Sequence, residues 1–121
     1  KVMDPVKHKE FTGVDNRLIL ENLKKVEENA QKYGTRVYIR CIQVPELTDS
    51  DENLRETCKF LSGMKCIEEV DLLNFHHLGL KRYEASGHPY LMEGTEPLPK
   101  NILEEKRNLV ESLGIPCKIN F

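Results

Sequence analysis

At 121 residues and 14.0 kDa the chain holds one domain or less, and its 39% apolar and 31% charged residues are ordinary for a soluble globular protein. A net charge of -2, with no basic block and no acidic tail, gives no nucleic-acid footprint, and no apolar run approaches the roughly 18 residues of a membrane span. The four cysteines, Cys41, Cys58, Cys66 and Cys117, are far apart without a C-x-x-C pair, so free thiols in a reducing cytoplasm are expected rather than disulfides.

Residues 4–12 are a short polar stretch suited to one or two helical turns, entered at Asp4-Pro5 and closed by Gly13. Asp15 or Asn16 then caps a long helix, because an Asx side chain accepts hydrogen bonds from the free N–H groups of a first turn. Ile19, Leu23, Val26 and Ala30 recur at steps of four, three and four, which predicts one buried stripe. Gly34 ends this helix as a C′ glycine. Residues 36–44 form a strand by branched and aromatic content. Val37, Ile39 and Cys41 share the face that fits under helices; Tyr38, Arg40 and Ile42 share the other. Pro45 stops the strand, and Thr48, Asp49 and Ser50 offer caps for a helix with the stripe Leu54, Thr57, Cys58, Leu61 and Met64. Residues 67–75 are a second strand.

Residues 76–97 show little periodicity and carry His76, His77, His88, Tyr83, Tyr90 and glycines. Connections usually run about 4–6 residues, so a segment this long asks for a packing or a functional explanation. Pro99 suits the first turn of a further helix with the stripe Ile102, Leu103, Leu109, Val110 and Leu113. Gly114 and Pro116 end it, and Cys117–Phe121 is a third strand.

Strands separated by helices predict an α/β fold with parallel pairing and right-handed crossovers. Three strands with helices enough for one face leave the Tyr38–Arg40–Ile42 face uncovered and a strand edge raw. This is the arc of a partial TIM-like β/α barrel. The chain also runs abruptly from Lys1 into structure and stops inside an apolar strand-like run, so 1–121 is expected to be a single incomplete domain.

Arg40 reads either as an edge or surface arginine or as a lumen-facing cation that holds an anion by its planar fork. His76 follows the second strand, where parallel β/α folds place their sites, and reads either as a polar loop residue or as a ligand-binding group or base. His76 and His77 point opposite ways on an extended chain, which argues against one shared metal. The cysteines match neither a zinc nor an iron–sulfur motif; Cys41, Cys58 and Cys117 are expected core residues. No P-loop, G-x-G-x-x-G or nucleophile elbow is present.

Several segments in order resemble the glycyl-radical-enzyme activating enzymes of the pyruvate formate-lyase type, within the radical S-adenosylmethionine (SAM) superfamily. They are Asp4-Pro-Val-Lys-His-Lys-Glu-Phe-Thr-Gly-Val-Asp-Asn with the following Leu-Ile-Leu-Glu-Asn-Leu, then Tyr38-Ile-Arg-Cys-Ile-Gln-Val-Pro and Thr48-Asp-Ser-Asp-Glu-Asn. Val70-Asp-Leu-Leu-Asn-Phe-His-His-Leu-Gly and Lys81-Arg-Tyr-Glu-Ala complete the match. The resemblance implies the C-terminal arc of a partial (β/α)6 barrel. It implies an activity in which a [4Fe-4S] cluster reductively cleaves SAM and the resulting 5′-deoxyadenosyl radical takes a hydrogen atom from a backbone glycine of a partner enzyme. It implies a cytoplasmic protein, a glycyl radical enzyme as partner, and flavodoxin or ferredoxin as electron donor.

The family's C-x-x-x-C-x-x-C cluster motif is absent here, so the resemblance is to the C-terminal half, and the chain alone is expected to be inactive. By position, Lys1 matches the last residue of the family's Asp-x-Lys motif, and Arg40 the arginine of its Ile-Arg strand. Ile42 and Leu73 match apolar contacts, and His76 matches the histidine ending its Leu-Leu-Pro-Tyr-His segment. All five are implied SAM neighbours. Two departures stand out: Asn74-Phe75 replaces the usual Pro-Tyr, and Glu46 follows the strand-ending proline where glycine is usual. Two other classes of function fit the residues taken alone. One is a free-standing, non-catalytic α/β module that binds a nucleotide-like anion through Arg40 and His76. The other is an interaction domain whose open sheet face pairs with another chain or with a second copy.

Overall fold

The computed structural model describes residues 1–120; the expectation that the third strand reaches Phe121 falls outside them. The order is α1 (Pro5–Thr12), α2 (Arg17–Tyr33), β1 (Val37–Gln43), α3 (Asp51–Leu61), β2 (Ile67–Asn74), α4 (Leu80–Ser86), α5 (Lys100–Ser112) and β3 (Cys117–Asn120). The strands form one parallel sheet in the order β1-β2-β3, as the alternation of strands and helices predicts.

The helices start and stop for local reasons. Asp4 caps α1 by accepting from the Val6 and Lys7 N–H groups at 2.8 and 3.1 Å, and Pro5 follows at a position where no N–H is needed. Ser50 caps α3 by accepting from Asn53 N–H at 3.1 Å. At the start of α2 only one of the two expected Asx residues, Asp15, accepts from a first-turn N–H. Asn16 does not cap; it is buried and donates instead to the carbonyls of Val2 and Met3 at 3.1 and 2.8 Å, while Asp15 accepts from Arg17 N–H at 3.1 Å. The asparagine therefore ties the N-terminal segment down, where a cap would only have finished a helix.

The core lies on one face of the sheet. Val70 and Leu72 of β2 meet Leu54, Cys58 and Leu61 of α3 and Val110 of α5, with Ile39, Cys41 and Cys117 packed at the margin. Each fully buried aliphatic side chain in this set stabilises the fold by about 1.5–3 kcal/mol. Lys106 of α5 is buried with them. Its ammonium donates to the carbonyl of Asp49 and to the Asp51 carboxylate, 3.2 Å away, so α5 is bolted to the entry of α3.

Three expectations are corrected. The α2 stripe is not one buried face: Ala30 is buried and Leu23 reaches the core margin, but Ile19 and Val26 are exposed. The reason is that α2 stands beyond β1, across a cleft, rather than over the sheet centre that α3 and α5 occupy. Leu113 is exposed because α5 ends at Ser112 and Leu113 has already left the helical stripe. The segment 76–97 is not all irregular. It contains α4, a two-turn helix between Gly79 and Gly87 with no buried residue, too short and too exposed to leave a periodic signature.

Glu46 has a φ of 66°, the only non-glycine residue with positive φ among the described residues. It follows Pro45 in a turn closed by Leu47 N–H to the Val44 carbonyl at 3.1 Å, the position of a turn at which glycine is favoured.

Candidate functional site

Parallel register sorts the second face of the sheet into rungs. Tyr38 is level with Glu69, Arg40 with Asp71 and Asp71 with Lys118, then Ile42 with Leu73 and Leu73 with Asn120. Because side chains alternate across a strand, these residues share one face, and among the described residues no helix covers it. Tyr38 is 53% and Ile42 37% exposed. Toward the ends of the strands where the β/α loops begin, the face therefore runs from a polar rung to a charged one and then to an apolar ledge.

The charged rung is uneven. The Arg40 side chain is 74% exposed and its Nε lies 3.7 Å from Asp71 Oδ2. Among the described residues no acceptor meets its terminal nitrogens, so the fork that binds planar anions in two-pronged fashion points into the open. Asp71 is only 9% exposed, and its Oδ1 has no hydrogen-bond partner among the described residues. Glu69, two residues back on the same face, has its carboxyl pushed above the usual range. Desolvation is the main cause, followed by a side-chain hydrogen bond with Asp71 and the Asp71 charge; Lys118 opposes the shift.

Of the five residues expected to form the site, Lys1, Arg40 and Ile42 line one cleft of about 190 Å³ at the outer edge of β1, together with Ile19, Leu20 and Leu23 of α2. Leu73 lies outside that cleft but directly beside Ile42 in the next strand. His76 is exposed two residues past the end of β2, and its Nδ1 accepts from Leu78 N–H at 3.3 Å. His77 turns the other way, between the Tyr90 hydroxyl at 2.6 Å and the Thr95 carbonyl at 2.7 Å, with Phe75 and Tyr90 edge-on to its ring. The carbonyl can only accept, so Nε2 carries the proton. His77 is the hub of the 76–97 segment, and His76 is the histidine left available to a ligand.

Sequence reasoning overlooked Asp71 and noted Asn74 only as a departure, without a role. Asp71 is an acid inside the apolar run Val70-Asp71-Leu72-Leu73, at the same parity as Leu73; pairing that parity with Arg40 across the sheet would have marked it. Asn74 supplies both halves of a clasp: its Nδ2 donates to the Leu98 carbonyl and its Oδ1 accepts from Leu98 N–H, each at 3.0 Å. A proline at this position has no side-chain donor or acceptor for such a clasp.

The thiols are free, and Cys41 lines the same cleft as Lys1, Arg40 and Ile42. Burial pushes Cys41 and Cys66 up to about 11 and Cys117 up to about 12, and raises Cys58 too. Among the described residues no three His, Cys, Asp or Glu side chains converge as a metal cage. These cysteines do not fit an iron–sulfur cluster, which needs converging thiolates. No described helix is long and apolar enough to cross a membrane.

No family model matches the chain. It is 32% identical over 120 residues to the indoleacetate decarboxylase activating enzyme of Tractidigestivibacter scatoligenes, covering 99% of this chain and 37% of that one. It is 29% identical over 114 residues to the pyruvate formate-lyase 1-activating enzyme of Escherichia coli (strain K12), covering 94% of this chain and 45% of that one. The chain thus spans less than half the length of these curated relatives. Its fold matches the crystal structure of a domain of pyruvate-formate lyase-activating enzyme from Bacteroides vulgatus ATCC 8482, with a TM-score of 0.75 at 20% identity over 100% of this chain and 63% of that one.

Proposed function

From kinship with the glycyl-radical-enzyme activating enzymes over almost the whole chain, we propose that these residues form one side of the SAM pocket of such an enzyme. The observation that carries the reading is the layered open face: an arginine with a free fork, an apolar ledge beyond it, and an exposed histidine just past the strand. SAM presents a carboxylate, ribose hydroxyls and a flat adenine, and each layer suits one kind of group. Arg40, with Lys1 beside it in the cleft, faces polar oxygens; Ile42 and Leu73 pack against the base; His76 hydrogen-bonds from the loop. A [4Fe-4S] cluster, which these residues do not hold, would supply the cleavage of SAM from elsewhere in the full-length protein. Residues 1–121 therefore act as part of a larger cytoplasmic enzyme, inactive alone, with a glycyl radical enzyme as substrate and flavodoxin or ferredoxin as electron source.

Two experiments test this. The coding DNA upstream of Lys1 is expected to continue in frame to C-x-x-x-C-x-x-C; a stop codon there overturns the reading. In the full-length protein, Arg40→Ala is expected to weaken SAM binding by tenfold or more, since a charge-assisted hydrogen bond contributes about 1.5–3 kcal/mol. Unchanged affinity in calorimetry removes Arg40 from the site. Taken alone, the chain is proposed to self-associate through its uncovered face and the unpaired edge of β1. Sedimentation showing only monomer at high concentration counts against that.

A further inference from the structure

The charged rung of the open face contains a residue with no assigned task. Asp71 occupies the central strand, in register with Arg40 on one side and Lys118 on the other. A carboxylate so deeply buried normally has all its oxygens hydrogen-bonded, because an unpartnered buried acceptor is costly. Here Oδ2 faces the Arg40 Nε at 3.7 Å and Oδ1 meets no donor among the described residues. The ion pair is made at Nε, and among the described residues no hydrogen bond engages the terminal nitrogens of Arg40.

We propose that Asp71 is a positioning residue: it holds Arg40 by the Nε edge so that the terminal fork faces the ligand. An arginine on an open sheet face has four rotatable bonds and no neighbour to fix them, so its binding would otherwise be opposed by the entropy of ordering the side chain. Asp71 cannot wander, because it is part of the central strand and nearly enclosed. Glu69 supports the arrangement from the same strand. It lies two residues back on the same face, where desolvation and then its contact with Asp71 raise its carboxyl. Lys118 balances the pair from β3. The groups facing Asp71 across this face are thus Arg40 from β1, Glu69 from its own strand and Lys118 from β3.

This rests on the SAM reading only for the identity of the ligand. The test uses the full-length protein with Asp71→Asn, which keeps the shape and removes the charge. The first readout needs no ligand: the Arg40 Nε–H resonance, assigned through Arg40→Lys, is expected to exchange with water at least several-fold faster in Asp71→Asn. An unchanged exchange rate overturns the proposal. The second is SAM calorimetry on Arg40→Ala, Asp71→Asn and the double variant. Asp71→Asn alone is expected to weaken binding about fivefold, and to add nothing once Arg40 is gone. Losses that multiply in the double variant overturn the proposal, since Asp71 would then act independently of Arg40. If the unsubstituted protein fails to bind SAM, the pocket reading falls, and the exchange rate alone decides the role of Asp71.

Discussion

The two faces of the sheet are made by the same three strands and are chemically opposite. On the helix-covered side Leu72 is 0% exposed among aliphatic neighbours from α3 and α5; on the other side its strand neighbour Asp71 is level with an arginine and a lysine. A one-residue step along β2 therefore crosses from the stabilising face to the proposed recognition face. The difference teaches where to look for each kind of effect. Substitutions at one parity should move stability, and substitutions at the other should move binding with the fold left standing.

The largest expected effect tests that division directly. Leu72→Ala should cost about 2–5 kcal/mol, the loss typical of emptying a closed aliphatic site. Ile42→Ala, on the open face, should cost about 1 kcal/mol, because its side chain already meets water. Urea unfolding of both variants measures the contrast, and equal losses would mean that the open face is covered after all. Next comes Lys106→Met, which keeps the apolar stem and removes the ammonium. The Asp49 carbonyl then loses its donor, at about 1–3 kcal/mol. A neutral result in the same assay would show that the stem alone carries the α3–α5 contact.

A third effect is read in pH. Glu27 accepts from the backbone N–H groups of Lys65 and Cys66 at 2.8 and 2.9 Å, which pins α2 to the entry of β2. Hydrogen bonds from Cys66 and Lys65 lower its carboxyl from 4.5 to about 2. A depressed carboxyl contributes stability that is complete above the unfolded value and is lost as pH falls toward the folded one. The thermal midpoint should therefore decline as pH falls from 4.5 toward 2, and Glu27→Gln should flatten that decline while lowering the midpoint at neutral pH. An unaltered slope in the variant would assign the acid sensitivity elsewhere.

How far the sequence spoke for these regions differed by face. The closed side was legible because period-2 and period-3.6 repeats mark Ile39, Cys41, Leu54, Cys58 and Val110 wherever they occur. The open side was legible as a face, since Tyr38, Arg40 and Ile42 alternate with the core residues. Its wiring was not: Asp71 meets Arg40 only once the parallel register is known, and register lies between strands rather than within one. For the same reason Asn74 could be noted as a departure from the family pattern without its clasp on Leu98 being visible 24 residues away. The α2 stripe misled because periodicity reports an apolar face, and not whether anything packs against it.

The smallest expected effect lies in the turn that carries β1 into α3, beside the proposed pocket. Glu46 holds a left-handed backbone, a conformation that costs a side-chain-bearing residue roughly 1–2 kcal/mol. Glycine removes that strain but adds freedom to the unfolded chain, which takes back roughly 0.4–1 kcal/mol. The turn keeps its other supports in either case. The residue 46 N–H still reaches Asp49 Oδ1 at 2.9 Å, and Thr48 still bridges the Val44 N–H and the Ile42 carbonyl. Glu46→Gly should therefore stabilise the protein by less than about 1 kcal/mol, while Glu46→Val, branched at Cβ, should destabilise it. A loss of stability with glycine would show that the glutamate side chain itself holds the turn, and so that this strand end was rebuilt around it.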